Sequence, residues 1–394
     1  MRSSSNSGND DDVDVLLRAS TSCVDFKSAL KTHCDFTEED IVRVYSKHPL
    51  VASYDVAGEI VPRINYLKFL QERNRLGNED AKEFVLRQPQ CLERKFQIIH
   101  EDLKLGYVAL NKPFDVRLDT PRGWPGKVRF TAKFDGDASC EDFLNARFPG
   151  EHVRFCHQLD NATSGVLLCA LTKKAAGVAA KMFRERRTKK FYSAVVFGWP
   201  EEKFWTSTKK IGKDEEDETG FREKVREDEG GKECKTEFEV LKRGYLTLEG
   251  KHWNKRVSLV RVRIFTGRRH QIRVHLKDCG FPIVGDAAYA DDEDTYRTFL
   301  HAEDLELFHD VAGVEYDKKT NKKKVKRQKG KKSLNAEGIE EGVESGGGDE
   351  VEGKEVEEDG DGSEVTGENM LKLHAPRPSA FDDVISDTDQ NART

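Results

Sequence analysis

His157-Gln158-Leu159-Asp160-Asn161-Ala162-Thr163-Ser164-Gly165 runs straight into the apolar stretch Val166 to Leu171. The first segment carries turn formers and one carboxylate. The second reads as a buried strand. An Asp at such a junction is poorly solvated unless a cation meets it. Farther along, Thr266-Gly267-Arg268-Arg269-His270-Gln271-Ile272-Arg273-Val274-His275-Leu276 supplies a dense set of candidate cations. A lone Asp in a turn is usually structural, here a cap for Thr163-Ser164-Gly165. The pairing of the two segments favours chemistry instead.

Together these segments resemble the RluA-type pseudouridine synthases, in the eukaryotic branch that has Gln158 where most members have Arg. The resemblance runs from about Phe96 to about Phe308 and resumes near the C-terminus. It implies that Asp160 is the nucleophile. Tyr192, within Lys190-Phe191-Tyr192-Ser193-Ala194-Val195-Val196, matches the tyrosine that stacks on the target base. Arg273, within His-Gln-Ile-Arg, matches the cation that faces the nucleophile. Arg fits that role because it keeps its charge and forks onto a carboxylate. Arg268, Arg269, His270, Gln158, Lys190 and Arg187 are read as RNA contacts. His157, Gln271, Thr163 and Ser164 are read as supports behind the reacting groups. The implied reaction breaks the ribose C1′ to uracil N1 bond, turns the base and rejoins C1′ to C5. It needs no water and no redox cofactor, so none is expected. His157 with His152, and His270 with His275, lack a third ligand at metal spacing, so no metal site is expected.

The chain has 394 residues, 36% hydrophobic and 35% charged. That is polar for one compact domain. No apolar run is long enough to span a bilayer, and neither a secretory signal nor a transit peptide is visible at the start. Eight cysteines without a Cys-x-x-Cys pair suggest a reduced compartment. The net charge of -6 averages over blocks. Lys181 to Lys190 holds six basic residues and one acid, Lys318 to Lys332 ten basic residues, and Glu337 to Asp361 twelve acids and one lysine. Basic surfaces of this kind bind polyanions whatever the total charge. RNA is the expected partner, with no membrane and a monomeric chain. Compartment stays open between cytoplasm, nucleus, mitochondrion and plastid.

The expected fold class is α+β: a mixed, mostly antiparallel sheet preceded by a small all-α domain. Residues 1–20 read as a disordered tail and 21–95 as helical. Within the latter, Phe36 to Pro49 lines up with Leu76 to Pro89 at an offset of forty. Each copy has a capping residue, a short amphipathic helix and a terminating proline. The pattern resembles the repeat of mitochondrial transcription termination factors, which bind nucleic acid; a small helical accessory domain with a chance similarity is the alternative. The region is expected to dock on the catalytic part and to aid RNA binding without touching bond breaking. Residues 96–314 read as the catalytic domain. Strands are expected at Phe96–Ile99, Tyr107–Leu110, Val166–Leu171 and Phe191–Phe197, and around Thr236-Phe238-Val240 and Val260-Val262-Ile264. Residues 201 to 233 read as a charged hairpin or insertion. Ser139 opens a capped helix, and Thr172 caps another whose Ala176, Ala179, Ala180 and Phe183 share a face. His270 to Cys279 reads as a helix stopped by Gly280 and Pro282. Residues 315–368 read as a disordered insertion inside a last hairpin, 369–383 as its returning strand, and 384–394 as a disordered tail.

Two other functions compete with the isomerase. One is a catalytically silent RNA-binding or ribosome-assembly protein on the same fold. The other is a hydrolase using Ser164 and a histidine, which lacks a Gly-x-Ser-x-Gly elbow.

Overall fold

The computed structural model describes residues 21–72, 76, 79–93, 95–119, 139–308 and 370–389. The expected tail 1–20, the insertion 315–368 and the last residues 390–394 lie outside them. Four short α-helices open the described chain: α1 (Thr21–Cys34), α2 (Glu38–Lys47), α3 (Val61–Glu72) and α4 (Ala81–Arg87). The forty-residue echo is visible in their geometry. Thr37 and Asp80 each close a reciprocal capping box, with Asp40 and Glu83. His48 and Gln88 end the two helices with nearly the same dihedrals, and Pro49 and Pro89 then start 3-10 turns. The match is exact in offset only at this C-terminal end. The second helix begins later and is shorter.

A mixed sheet follows. Its strands are β1 (Gln97–Asp102), β2 (Tyr107–Lys112), β3 (Arg154–Phe155), β4 (Ser164–Ala170), β5 (Thr188–Phe197), β6 (Phe204–Ser207), β9 (Thr236–Leu246), β10 (Arg256–Ile264), β11 (Leu300–Phe308), β12 (Met370–His374) and β13 (Ile385–Ser386). The main order is β1-β2-β4-β11-β5-β10-β9-β13, with β12 beside β11, β3 beside β4 and β6 beside β9. Among these pairings only β4–β11 is parallel. Residues 201 to 233 do two jobs. Their first part, β6, joins the main sheet, and the rest forms a separate hairpin of β7 (Ile211–Lys213) and β8 (Glu223–Val225). The late hairpin closes as expected, with Leu307 opposite Leu371 across a long excursion of chain.

Three helices lie between β2 and β11: α5 (Cys140–Arg147), α6 (Lys173–Arg184) and α7 (Gln271–Asp278). Ser139 and Thr172 cap the first two. The buried face of α6 is Ala175, Ala179 and Met182, while Ala180 is exposed, so the expected face is rotated by about one position. The expected disordered tail from 384 is also corrected. A short helix α8 (Ala380–Asp383) leads into β13, where Ile385 pairs with Leu246. Phe381, Val384 and Ile385 are buried there.

The helical region and the sheet share one buried cluster, from Phe26 and Leu92 to Val260 and Phe381. Repeat-equivalent residues hold the joint. Lys47 pairs with Glu249 at 2.9 Å, and Arg87 pairs with Asp294 at 3.1 Å and bonds the Glu249 carbonyl. The buried Gln88 amide donates to the carbonyls of Glu249 and Asp294 and accepts from Tyr296 N–H. Two basic residues that could have met RNA are therefore engaged in docking. No helix among the described residues is long and apolar enough to cross a membrane.

Candidate active site

The Asp160 turn closes with a Thr163 N–H bond to the Asp160 carbonyl at 3.1 Å. Gly165 then enters β4 at φ +110, where a Cβ would collide with the Ala302 carbonyl of β11. Glycine is required at that crossing. Beneath the turn lies Lys112, with no exposed surface. Its ammonium donates to the carbonyls of Pro113 (2.8 Å), Val116 (2.7 Å) and Asn161 (2.8 Å). Three donors meet three acceptors, so the loop after β2 is tied to the residue after Asp160. Burial pushes the Lys112 pKa down to about 8, with nearby Asp115 and Asp160 opposing that fall.

Arg273 comes in from α7. Residues Gln271 to Leu276 of that helix are all buried, and Val274 shares a small core with Ile211 and Val225 of the β7–β8 hairpin. Gln271 locks the approach. It accepts from Arg268 N–H at 3.0 Å and Thr266 hydroxyl at 2.7 Å, and donates to the Lys235 carbonyl and the Thr236 hydroxyl. His270 takes a left-handed conformation, φ 53, at the helix start. Arg273 is 4% exposed. Its Nε and Nη2 fork onto Asp286 at 2.7 Å each, and its Nη1 reaches Asp160 Oδ2 at 3.4 Å. The guanidinium also lies 4.9 Å from the Tyr289 ring centroid. Burial alone would lower its pKa, yet Asp286 and Asp160 carry it above the ordinary value. Arg273 is thus a fixed charge, held by one carboxylate and turned toward another.

His270, expected to contact RNA, lines the cleft and stands beside Asp160. It is buried, its Nδ1 bonds the Tyr289 hydroxyl at 2.8 Å, and its Nε2 lies 3.9 Å from Asp160 Oδ1. Burial lowers its pKa to about 4, against the pull of Asp160. Tyr192 stands on β5 in the same cleft, and burial together with Asp160 raises its pKa. His157 is a support, accepting Leu168 N–H at 3.0 Å and leaning on Phe183. Burial lowers its pKa to about 4 as well.

The cleft above Asp160 measures about 680 Å³. Small-ligand sites typically span roughly 300–1,000 Å³. Gln158, Lys190, Arg268 and Arg269 line it, and so do Arg184 and Arg186. Arg187, also expected to contact RNA, is not among the residues that line the cleft. Lys190 donates to the Thr266 carbonyl at 3.0 Å, and burial lowers its pKa to about 8. It braces the wall that carries the basic loop. Asp286 and Tyr289 escaped the sequence reading. The available signal was an unpaired acid soon after a helix already assigned a buried Arg.

Ser164 does meet a histidine, His301 Nδ1 at 2.8 Å. It also accepts from Arg297 Nη2 at 2.6 Å, and His301 Nε2 bonds the Ala375 carbonyl. All three side chains are buried. Because His301 gives its Nε2 hydrogen to Ala375, its Nδ1 accepts the Ser164 hydroxyl hydrogen, and Ser164 accepts from Arg297 alone. Buried at 4% exposure and outside the cleft lining, this serine does not face the cleft, which argues against the hydrolase reading.

A family model described as RNA pseudouridylate synthase matches residues 106–278. The tRNA pseudouridine synthase C of Vibrio parahaemolyticus is 32% identical over 56% of this chain and 88% of its own length. The chain belongs to the RNA pseudouridylate synthase family. The RNA pseudouridylate synthase domain-containing protein 1 of Danio rerio is 38% identical, over 50% of this chain and 65% of that relative. The chain therefore spans just under two thirds of that relative's length. The solved human RNA pseudouridylate synthase domain containing 1 is 33% identical, covering 57% of this chain and 82% of that one, with a TM-score of 0.46. The matched synthase segment contains Asp160, Tyr192 and Arg273, whereas Asp286 and Tyr289 lie just beyond it.

Proposed function

We propose that this chain isomerises uridine to pseudouridine in RNA, with Asp160 as nucleophile. The observation that carries the reading is the pairing of Asp160 with a buried, carboxylate-held Arg273 at the floor of a basic-rimmed cleft. In this reading Asp160 attacks C1′ and displaces N1, so that a C1′–carboxylate ester forms as the C1′–N1 bond breaks; the ester breaks again when C5 takes C1′, which returns Asp160 as a free carboxylate. The base turns without leaving, and C1′ joins C5. C5 gives up its hydrogen and N1 ends protonated, so composition is unchanged. Arg273 supplies the counter-charge to Asp160 in a water-poor site. Tyr192, its pKa raised, enters as a neutral phenol that packs on the base and donates a hydrogen bond; it is not a strong base. His270, neutral near pH 7, adds no second positive charge beside Asp160.

The uridine must leave its stack to reach this floor. Arg184, Arg186, Arg268 and Arg269 at the rim suit the flanking phosphates. Substrates of the class rRNA, tRNA or mRNA fit this surface, met by one copy of the chain. The test is a transcriptome-wide map of pseudouridines in cells with and without the gene, repeated with the purified protein on RNA from the deleted cells. Sites lost on deletion and restored in vitro support the reading. An unchanged map with no restored site refutes it and favours a silent RNA-binding protein.

A further inference from the structure

The Asp160 turn is supported from both ends, and both supports lead to one residue outside the catalytic sheet. That residue is Arg63, on α3 of the helical region. It is 2% exposed. Its Nε donates to the Cys91 carbonyl at 2.5 Å, and its Nη2 to Asp115 Oδ2 at 3.0 Å and the Tyr296 carbonyl at 3.3 Å. Its guanidinium also lies 4.7 Å from the Phe114 ring centroid.

The first support runs through the loop after β2. Asp115 holds a left-handed conformation there, φ 52, which a non-glycine residue adopts at some cost. Arg63 fixes it from one side. From the other side Lys112 gathers the carbonyls of Pro113 and Val116, which flank Phe114 and Asp115, together with that of Asn161. Asn161 is the residue after Asp160.

The second support runs through Phe114. Arg297 lies on the same ring, 4.5 Å from its centroid, and donates to Ser164 Oγ at 2.6 Å. Ser164 follows the turn that Asp160 begins and opens β4. Two guanidinium groups sharing one aromatic ring in a buried site form a stiff unit, since neither can move without losing its partner.

We infer that Arg63 is a positioning residue for Asp160, so the N-terminal helical region is part of the catalytic scaffold. This goes against the sequence-based expectation that the region aids RNA binding alone. The inference rests on the reading of Asp160 as nucleophile. Its physical basis is that misplacing a reacting group by about 1 Å can cost on the order of a hundredfold in rate. Arg63 lies outside the cleft lining, so RNA affinity is not its business.

The test uses the full chain in Arg63→Lys, Asp115→Asn and the double variant, at a temperature where circular dichroism finds all folded. Lysine keeps the charge but loses the fork, and asparagine keeps the shape but loses the charge. Each single substitution is expected to lower the single-turnover rate on RNA labelled with 5-tritiated uridine by roughly 10- to 100-fold. The dissociation constant for that RNA should stay at the wild-type value. The double variant should be little slower than either single one, because both break one link. Wild-type rates in folded single variants would overturn the inference, as would losses that multiply in the double variant or appear only in affinity. A wild-type protein that releases no tritium would instead overturn the proposed function, so the two failures are distinct.

Discussion

Replacing Asp286 by Asn probes the charge balance of the site without changing its shape. Asp286 is fully buried. It receives Nε and Nη2 of Arg273 at 2.7 Å each, and its Oδ1 also takes the N–H groups of Ala288 and Tyr289. An amide keeps one acceptor oxygen and turns two donors toward either the guanidinium or those N–H groups. Breaking a buried ion pair typically costs about 3–5 kcal/mol, and the retained acceptor argues for about 3. Against a total stability of about 5–15 kcal/mol the protein should fold but denature at lower urea. The kinetic effect follows from where Arg273 goes next. Its remaining anion is Asp160, at 3.4 Å. A guanidinium freed from Asp286 either clamps the nucleophile or drops away, each misplacing about one charge-assisted bond of 1.5–3 kcal/mol. The single-turnover rate should therefore fall about 10- to 150-fold. RNA affinity should not change, because Asp286 touches no solvent. The assay is tritium release at saturating protein, with affinity read separately by filter binding. A folded Asp286→Asn protein with the wild-type rate would refute the assignment of Arg273 as the catalytic counter-charge.

Other consequences follow from buried groups. His157, His270 and His301 are held by burial at about 4, about 4 and about 3, below the usual 6.5. Below pH 6.5 the unfolded chain binds more protons than the folded one, so the stability present above 6.5 is lost as pH falls toward 4. A ring moved from 6.5 to 4 is worth about 3 kcal/mol. The urea midpoint should thus drop steeply between about pH 7 and pH 4.5, and a flat profile would contradict neutral, buried rings. Arg268→Ala removes a rim cation whose Nε holds only the Glu233 carbonyl. It should weaken RNA binding and reduce the salt slope by about 1, measured by titration at several salt concentrations. Gly165→Ala should give protein that is insoluble or melts far lower, since its Cβ would strike the Ala302 backbone. A soluble variant with normal melting would show that the β4–β11 crossing has slack.

Much of this was legible in the sequence because it is local. The Asp160 turn, the alternation in β9 and β10, and the Ser139 and Thr172 caps each depend on residues a few positions apart. The late strand β12 was legible only through the family resemblance, which gives the strand Leu300–Phe308 a returning partner; Leu307 pairs with Leu371. Non-local pairing was not legible. Nothing near Asp286 in sequence says that it faces Arg273, and nothing near Arg63 points to Asp115. A basic run does not say which of its members face a cleft: Arg184 and Arg186 line this one and Arg187 does not. Arg186 turns left-handed at φ 56, and that reverses the chain between α6 and β5. The strand β13 was missed because two paired residues carry no period. Nothing local in the helical repeat tells a nucleic-acid contact from a docking contact; Lys47 and Arg87 are engaged with Glu249 and Asp294.

One experiment bears on everything above. RNA transcribed with 5-tritiated uridine is incubated with the wild-type chain and with Asp160→Asn, both shown to be folded and to bind that RNA equally. Isomerisation exchanges the C5 hydrogen, so tritium enters the water. The wild-type chain should release it, and Asp160→Asn should release none above background. Release by the variant at the wild-type rate would contradict the role given to Asp160 and the chemistry built on it.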